Sequence, residues 1–326
     1  MATTSSPNAG PFEQHKLAAH GGPGWVPRIL PQDGPDPVWA ECGVSSECGE
    51  LQSVLMRRPG SEIENITDPA SILWSAAVNP ERAREEHDNL VEAYRSNGVT
   101  VHLVEDSSIN KPNMYFTHDL FAMTPAGAIL GRPASLARAG EERHIAGALI
   151  HLGIPILLSP YAGATFEGAD VIIVNKDLVL IGEGIRTNRT GATQARRVFE
   201  DLGFPQVEVV QVPYGCGHLD GTISIVDRDV AVLFPTQVAY RVWEVLRAHG
   251  FRILDLPDPS EAHTGMAINT VALAPGRVLI PAGNPKTVDM LSKAHIECTE
   301  VAIPELQKGG GAIHCMTGVL KRNSLN

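Results

Sequence analysis

Residues 170–184 read DVIIVNKDLVLIGEG: an acidic residue, a short apolar run, a polar break and a second apolar run. Apolar runs of this length between turn signals describe short buried strands, and two of them across Lys176-Asp177 describe a hairpin. The same plan returns at 119–134 (DLFAMTPAGAILGRPA), 220–235 (DGTISIVDRDVAVLFP) and 269–284 (NTVALAPGRVLIPAGN). Helical patterns follow at 140–152, 191–202, 236–249 and 285–294. The polar residues leading these units stand at 119, 170, 220 and 269, and Cys315 stands where a fifth would be. A period of about fifty residues marks a repeat architecture, in which no unit buries its own core.

An earlier unit makes five. It has a strand at 51–56 stopped by Pro59-Gly60, and a helix at 80–96 that opens on proline and closes on Asn97-Gly98. A second strand follows at 99–104. The fold class this predicts is α/β: a five-bladed α/β propeller of repeated ββαβ-type units around a central channel, as one catalytic domain over residues 41–326. The competing reading is a two-domain α/β protein whose similar units are coincidence. Residues 1–40 are rich in Gly, Pro and Ser and lack periodicity, which predicts a loose N-terminal arm, either a lid or disordered.

Bulk properties narrow the function. A formal net charge of -11 argues against nucleic acid or an anionic membrane as partner and suits a cationic small molecule. No apolar run reaches membrane-spanning length, and the N-terminus has no signal-peptide pattern. Five cysteines, an odd number without framework spacing, fit a reducing cytoplasm. A homo-oligomer is compatible with the sequence and not demanded by it.

If the units are related by rotation, their leading residues lie at one height around the channel. Asp119, Glu167 with Asp170, His218 with Asp220, Asn269 and Cys315 then converge. Gly309-Gly310-Gly311 precedes the cysteine and leaves room for a ligand near the main chain. A thiol needs a proton acceptor or a nearby cation to become thiolate, and histidine is the usual acid–base partner near neutral pH. Carboxylates beyond those needed to orient the histidine would attract a cation. Taken singly, the same residues read as turn caps, a loop histidine and a buried thiol.

This constellation resembles the guanidino-group-modifying, or pentein, superfamily: arginine deiminases, dimethylarginine dimethylaminohydrolases and amidinotransferases. The matching stretches are Thr117-His118-Asp119, Phe166-Glu167-Gly168-Ala169-Asp170, Arg186-Thr187-Asn188, Gly217-His218-Leu219-Asp220 and residues 310–316. The resemblance implies that Cys315 is the nucleophile, His218 the general acid/base and Glu167 the residue orienting it. It implies that Asp119 and Asp220 grip a guanidinium, with Asp170, Asn269 and Arg186 as further substrate-binding candidates. The expected activity is hydrolysis of an arginine-like guanidino group through a covalent thiouronium. The alternatives are amidino transfer to an amine and a propeller that only binds. No cofactor and no metal are expected. The sequence departs from the family at His118, where an arginine is usual, and at Ala169, where a second glycine is usual. His118 is expected behind the site, because neighbouring side chains of an extended segment point to opposite sides.

Other chemistries find less support. Cys216-x-His218 and Cys42 with Cys48 lack a second short-spaced ligand pair for zinc. Gly182-Glu183-Gly184 lacks the third glycine of a dinucleotide fingerprint. A cysteine peptidase would need the thiol and histidine but not the ring of carboxylates. Arg132, Arg138, Arg186 and Arg189 are candidates for a substrate carboxylate.

Overall fold

A computed structural model describes residues 17–26, 38–105 and 108–325. The chain divides into two compact units, residues 1–40 and residues 41–326. The described part of the first holds one 3-10 turn, Ala18–His20, closed by Gly21 in the left-handed region at φ 84. The predicted arm otherwise falls largely outside the described residues.

The second unit is a five-bladed α/β propeller, with five separate three-stranded sheets. The first blade holds β1 (Leu51–Met56), helix α1 (Pro80–Ser96) and β2 (Thr100–Leu103). The second holds β3 (Phe121–Thr124), β4 (Gly127–Leu130), α2 (Glu142–His151) and β5 (Ile156–Leu158). The third holds β6 (Val171–Asn175), β7 (Leu178–Glu183), α3 (Arg189–Asp201) and β8 (Gln206–Gln211). In the fourth are β9 (Ile223–Asp227), β10 (Val230–Leu233), α4 (Tyr240–Ala248) and β11 (Arg252–Asp255). A short extra helix, α5 (Pro259–His263), leads to β12 (Val271–Ala274), β13 (Arg277–Pro281), α6 (Pro285–Lys293) and β14 (Glu297–Val301). The last strand, β15 (Gly318–Arg322), pairs antiparallel with β1, so the first blade is completed by the far end of the chain.

Each blade follows one rule. Two strands pair antiparallel, through a hairpin in every blade but the first, and the helix carries the chain back so that the third strand runs parallel to the second. The central strands β4, β7 and β10 are apolar and buried, save Glu183 at the end of β7. Local chemistry sets the boundaries. The Asn79 side chain caps α1 by accepting from the Arg82 N–H, and the Asn188 side chain caps α3 by accepting from Gly191. The hairpin break at Lys176-Asp177 is held by Asn175 Oδ1, which accepts from the Asp177 N–H at 2.9 Å. The expected helices at 140–152 and 236–249 are shorter than the pattern suggested, because Leu152 after α2 and Val238-Ala239 before α4 extend the apolar periodicity without the helical backbone.

Three short 3-10 turns stand just ahead of the inner strands: Thr117–Leu120 before β3, Gly168–Asp170 before β6 and Leu219–Gly221 before β9. They pack against one another in sequence, turn to turn. The repeat therefore delivers its leading residues to one end of the blades. No helix among the described residues is long and apolar enough to cross a membrane.

Candidate active site

The loop 309–317 carries Cys315 into a cleft with about 90 Å³ of room, which Asp119, His218, Arg138 and Arg186 also line. The glycines ahead of the cysteine have separate reasons. Gly310 sits in the left-handed region at φ +90, and a Cβ on Gly311 would lie 2.7 Å from the Phe116 ring and 3.1 Å from Cys315 Sγ. Asn269 grips the loop from the fifth blade. Its Oδ1 accepts from the His314 N–H at 2.8 Å, and its Nδ2 donates to Cys315 Sγ at 3.2 Å.

Glu167 is fully buried. Its Oε2 lies 2.7 Å from His218 Nε2 and accepts from Arg186 at 3.2 Å, while Oε1 accepts from the Ala134 N–H at 3.1 Å. Burial alone would raise its pKa, but His218, Arg138 and Arg186 together hold it well below the usual carboxylate range. The other nitrogen of His218, Nδ1, is 4.0 Å from Asp119 Oδ1. Burial works against a charged imidazole there, yet Asp119 and Glu167 outweigh it and lift His218 to about 10. The resting histidine is a cation and a proton donor.

Asp119 offers one free oxygen. Its Oδ2 accepts from Arg138, while Oδ1 is buried without a hydrogen-bond partner. Arg138 also donates to Glu141 at 2.9 Å and reaches the carbonyls of Phe116 and Asn113. Burial raises Glu141 to about 7 despite that arginine. Cys315 is pushed well above the ordinary thiol value, by burial first and then by the field of Asp220 and Asp119. The free site therefore holds a neutral thiol beside an imidazolium.

Cys315, His218, Glu167, Asp119, Asn269 and Arg186 thus come together, and two of the residues assigned to substrate do not. Asp170 is buried off the cleft; its Oδ1 accepts from the Leu219 N–H at 2.9 Å and so fixes the turn that carries His218. Burial raises its pKa to about 7. Asp220 is turned away to accept from His314 Nδ1 at 2.8 Å. His118 also lies off the cleft, its ring 4.1 Å from that of His314. Burial depresses His118 to about 4. Burial disfavours a charge on His314 as well, but Asp220 and Glu47 lift it to about 9.

Asn113 is a cleft residue that the sequence reading did not single out, and Arg138 was one of four arginines it offered for a substrate carboxylate. In the fold Arg138 and Arg186 converge on Glu167 Oε2, at 3.7 and 3.2 Å.

Comparison with known proteins identifies relatives of the chain and of its fold. The sequence model of the family described as "N,N dimethylarginine dimethylhydrolase, eukaryotic" matches residues 62–322. An N(G),N(G)-dimethylarginine dimethylaminohydrolase of Streptomyces coelicolor is 30% identical over 246 residues, covering 72% of this chain and 84% of the relative. An arginine deiminase of Mycoplasma capricolum is 24% identical, covering 86% of this chain and 97% of its own. The dimethylarginine dimethylaminohydrolase of Pseudomonas aeruginosa, solved as a cysteine-to-serine variant with citrulline, superposes with a TM-score of 0.69. That match covers 83% of this chain and 99% of the other at 22% identity, and it shares the fold. With the match to residues 62–322 and the Streptomyces relative, the chain belongs to the dimethylarginine dimethylaminohydrolase family, within the pentein superfamily of guanidino-modifying enzymes.

Proposed function

We propose that the protein hydrolyses the guanidino group of arginine or an arginine derivative, with Cys315 as nucleophile and His218 as general acid and base. The observation that carries this reading is that a thiol and a cationic histidine line one cleft, with Glu167 fixed on the histidine at 2.7 Å and a carboxylate oxygen of Asp119 left open.

The geometry supports a sequence of proton and bond changes. A planar substrate cation pairs with Asp119 Oδ1 by charge-assisted hydrogen bonds. Its charge beside Sγ favours the thiolate, and the thiol proton leaves to solvent. The thiolate attacks the guanidinium carbon, giving a neutral tetrahedral adduct. His218 donates its proton to the departing amine, the C–N bond breaks, and an S-alkylthiouronium cation remains on Cys315. The now neutral His218 takes a proton from water, whose oxygen attacks the same carbon. The C–S bond then breaks to restore the thiolate, and the product loses a proton to become a ureido group. Glu167 holds His218 in line and stabilises its cationic form. Arg186, at the cleft and only part-buried, is suited to a substrate carboxylate, and Arg138 stands beside it.

The test is incubation with arginine and with methylated arginines, followed by quantitation of citrulline. A parallel arm offers glycine, lysine or ornithine as acceptor. Citrulline from the wild type and none from Cys315→Ser supports hydrolysis. Amidino transfer without citrulline would make the protein an amidinotransferase, since both reactions share the thiouronium. Wild-type kcat in Cys315→Ser would remove Cys315 as nucleophile.

A further inference from the structure

Behind the cleft lies a second cluster that the proposed chemistry does not use. His118, Asp220 and His314 are all buried, and one ligand atom from each lies within 4.8 Å of the others. We propose that these three side chains form a binding site for a divalent transition-metal ion of the zinc class, with Glu47 as the carboxylate that orients His314 from outside.

Four observations carry this. First, the donors are two imidazoles and a carboxylate, the mixed N/O set that suits zinc and its neighbours; magnesium and calcium prefer all-oxygen shells. Second, His118 Nε2 is buried and makes no hydrogen bond. An unpaired buried polar atom costs about 1–3 kcal/mol, and a bound ion would offset that cost here. Third, His314 presents Nδ1 to Asp220 at 2.8 Å and Nε2 to Glu47 Oε2 at 3.8 Å. A carboxylate on the second nitrogen of a ligating histidine is the usual outer support of such sites. Fourth, the ion-pair partner of Asp220 is His314 itself, the group that would give up its proton to a metal. No arginine or lysine pairs with Asp220 among the described residues, and the nearby Arg322 donates to the carbonyls of Gly49 and Ala272.

There is room for an ion after small movements. Voids of about 10 and 20 Å³ border the cluster on its two sides, one touching Asp220 and His314 and the other His118. Two ligands bound tetrahedrally at about 2.0 Å lie about 3.3 Å apart. The ligand atoms, which lie within 4.8 Å of one another, must settle near that tetrahedral separation, and the Asp220–His314 contact of 2.8 Å must open slightly.

The placement gives the ion a consequence for the enzyme. Each ligand sits within two residues of a cleft group: His118 beside Asp119, Asp220 two after His218, His314 beside Cys315. The three segments belong to three different repeat units. An ion here would tie together the turns that hold the nucleophile, the acid/base and the substrate carboxylate, without touching substrate. An arginine in place of His118 would reverse this. A fixed cation there would leave no vacancy for a metal, whereas a histidine supplies a ligand.

The experiment loads the full chain with zinc chloride, desalts it and measures retained metal and thermal midpoint. The wild type is expected to retain one zinc per chain and to unfold several degrees higher than after chelation. His118→Ala should bind at least about 100-fold more weakly and lose the thermal shift. His118→Arg is the second variant, since it restores a cation and is expected to fold; it too should retain no zinc. Cys315→Ser and His218→Asn should retain zinc as the wild type does. Two results overturn the proposal. One is no retained zinc and no thermal shift in the wild type. The other is zinc kept by His118→Arg and lost in His218→Asn, which would place the ion on the neighbouring trio Asp119, Glu167 and His218.

Discussion

Arg138 lies among three buried carboxylates, Asp119, Glu141 and Glu167, and is itself almost wholly buried. Removing one partner of a buried ion pair strands the others, at a cost of about 3–5 kcal/mol. Arg138→Ala should therefore lower the urea midpoint sharply as well as activity, and Arg138→Lys should rescue only part, because an ammonium cannot fork between acceptors. His218→Ala should fold normally and lose at least about two orders of magnitude in kcat, the usual contribution of a general acid–base group. Both variants can be followed by urea titration and citrulline release. At this scale the sequence was legible where the repeat placed residues and illegible where side-chain direction mattered. Asp119 and Asp220 hold equivalent positions ahead of their strands, so spacing alone treats them alike. One leaves an oxygen open at the cleft and the other turns to a histidine from the last unit. That difference comes from what packs beneath each turn. Arg138 was visible only as one arginine among four, because its partners come from other segments.

The segment Arg186-Thr187-Asn188 joins cleft chemistry to helix α3. Arg186 reaches Glu167, Thr187 Oγ1 accepts from the Glu167 N–H at 3.1 Å, and Asn188 caps the helix. Asn188 also donates to the Gly163 carbonyl at 2.8 Å, pinning the incoming loop. Asn188→Ala should cost about 1–2 kcal/mol, at the upper end for a lost cap, and should raise KM more than it lowers kcat as Arg186 loosens. The loop before Cys315 is tighter still. Gly311→Ala pushes a methyl against the Phe116 ring and the thiol, so kcat should fall at least about tenfold through misplacement of Sγ. Far-ultraviolet circular dichroism should remain that of the wild type, which separates a displaced nucleophile from a lost fold. Element types and order were readable in advance because hairpin breaks and helix caps are local. Helix ends were less readable, since apolar residues flanking α2 and α4 extend the periodicity into loops.

The whole molecule carries an acid liability away from the site. His87 on α1 is fully buried, and neither ring nitrogen has a hydrogen-bond partner. Burial depresses its pKa from 6.5 to about 4. The folded state keeps it neutral while the unfolded chain takes up a proton below about 6.5, so this contribution is full above that pH. It is lost as pH falls from 6.5 toward 4, by up to about 3 kcal/mol. His87→Leu should flatten stability in that window, measured by chemical denaturation at each pH; an unchanged slope would show that His87 is not the group responsible. The closing strand sets a different constraint. β1 cannot complete its sheet until β15 arrives from the other end of the sequence, and the loop with Cys315 comes just before β15. Non-local pairing of this kind slows folding. On the ribosome, the opening blade must wait with an exposed edge while the four others emerge, and a nascent chain interrupted before residue 315 has no reactive sulfur in place. With Cys315 as the nucleophile proposed above, an abandoned translation product is catalytically silent, and its β1 edge stays unpaired.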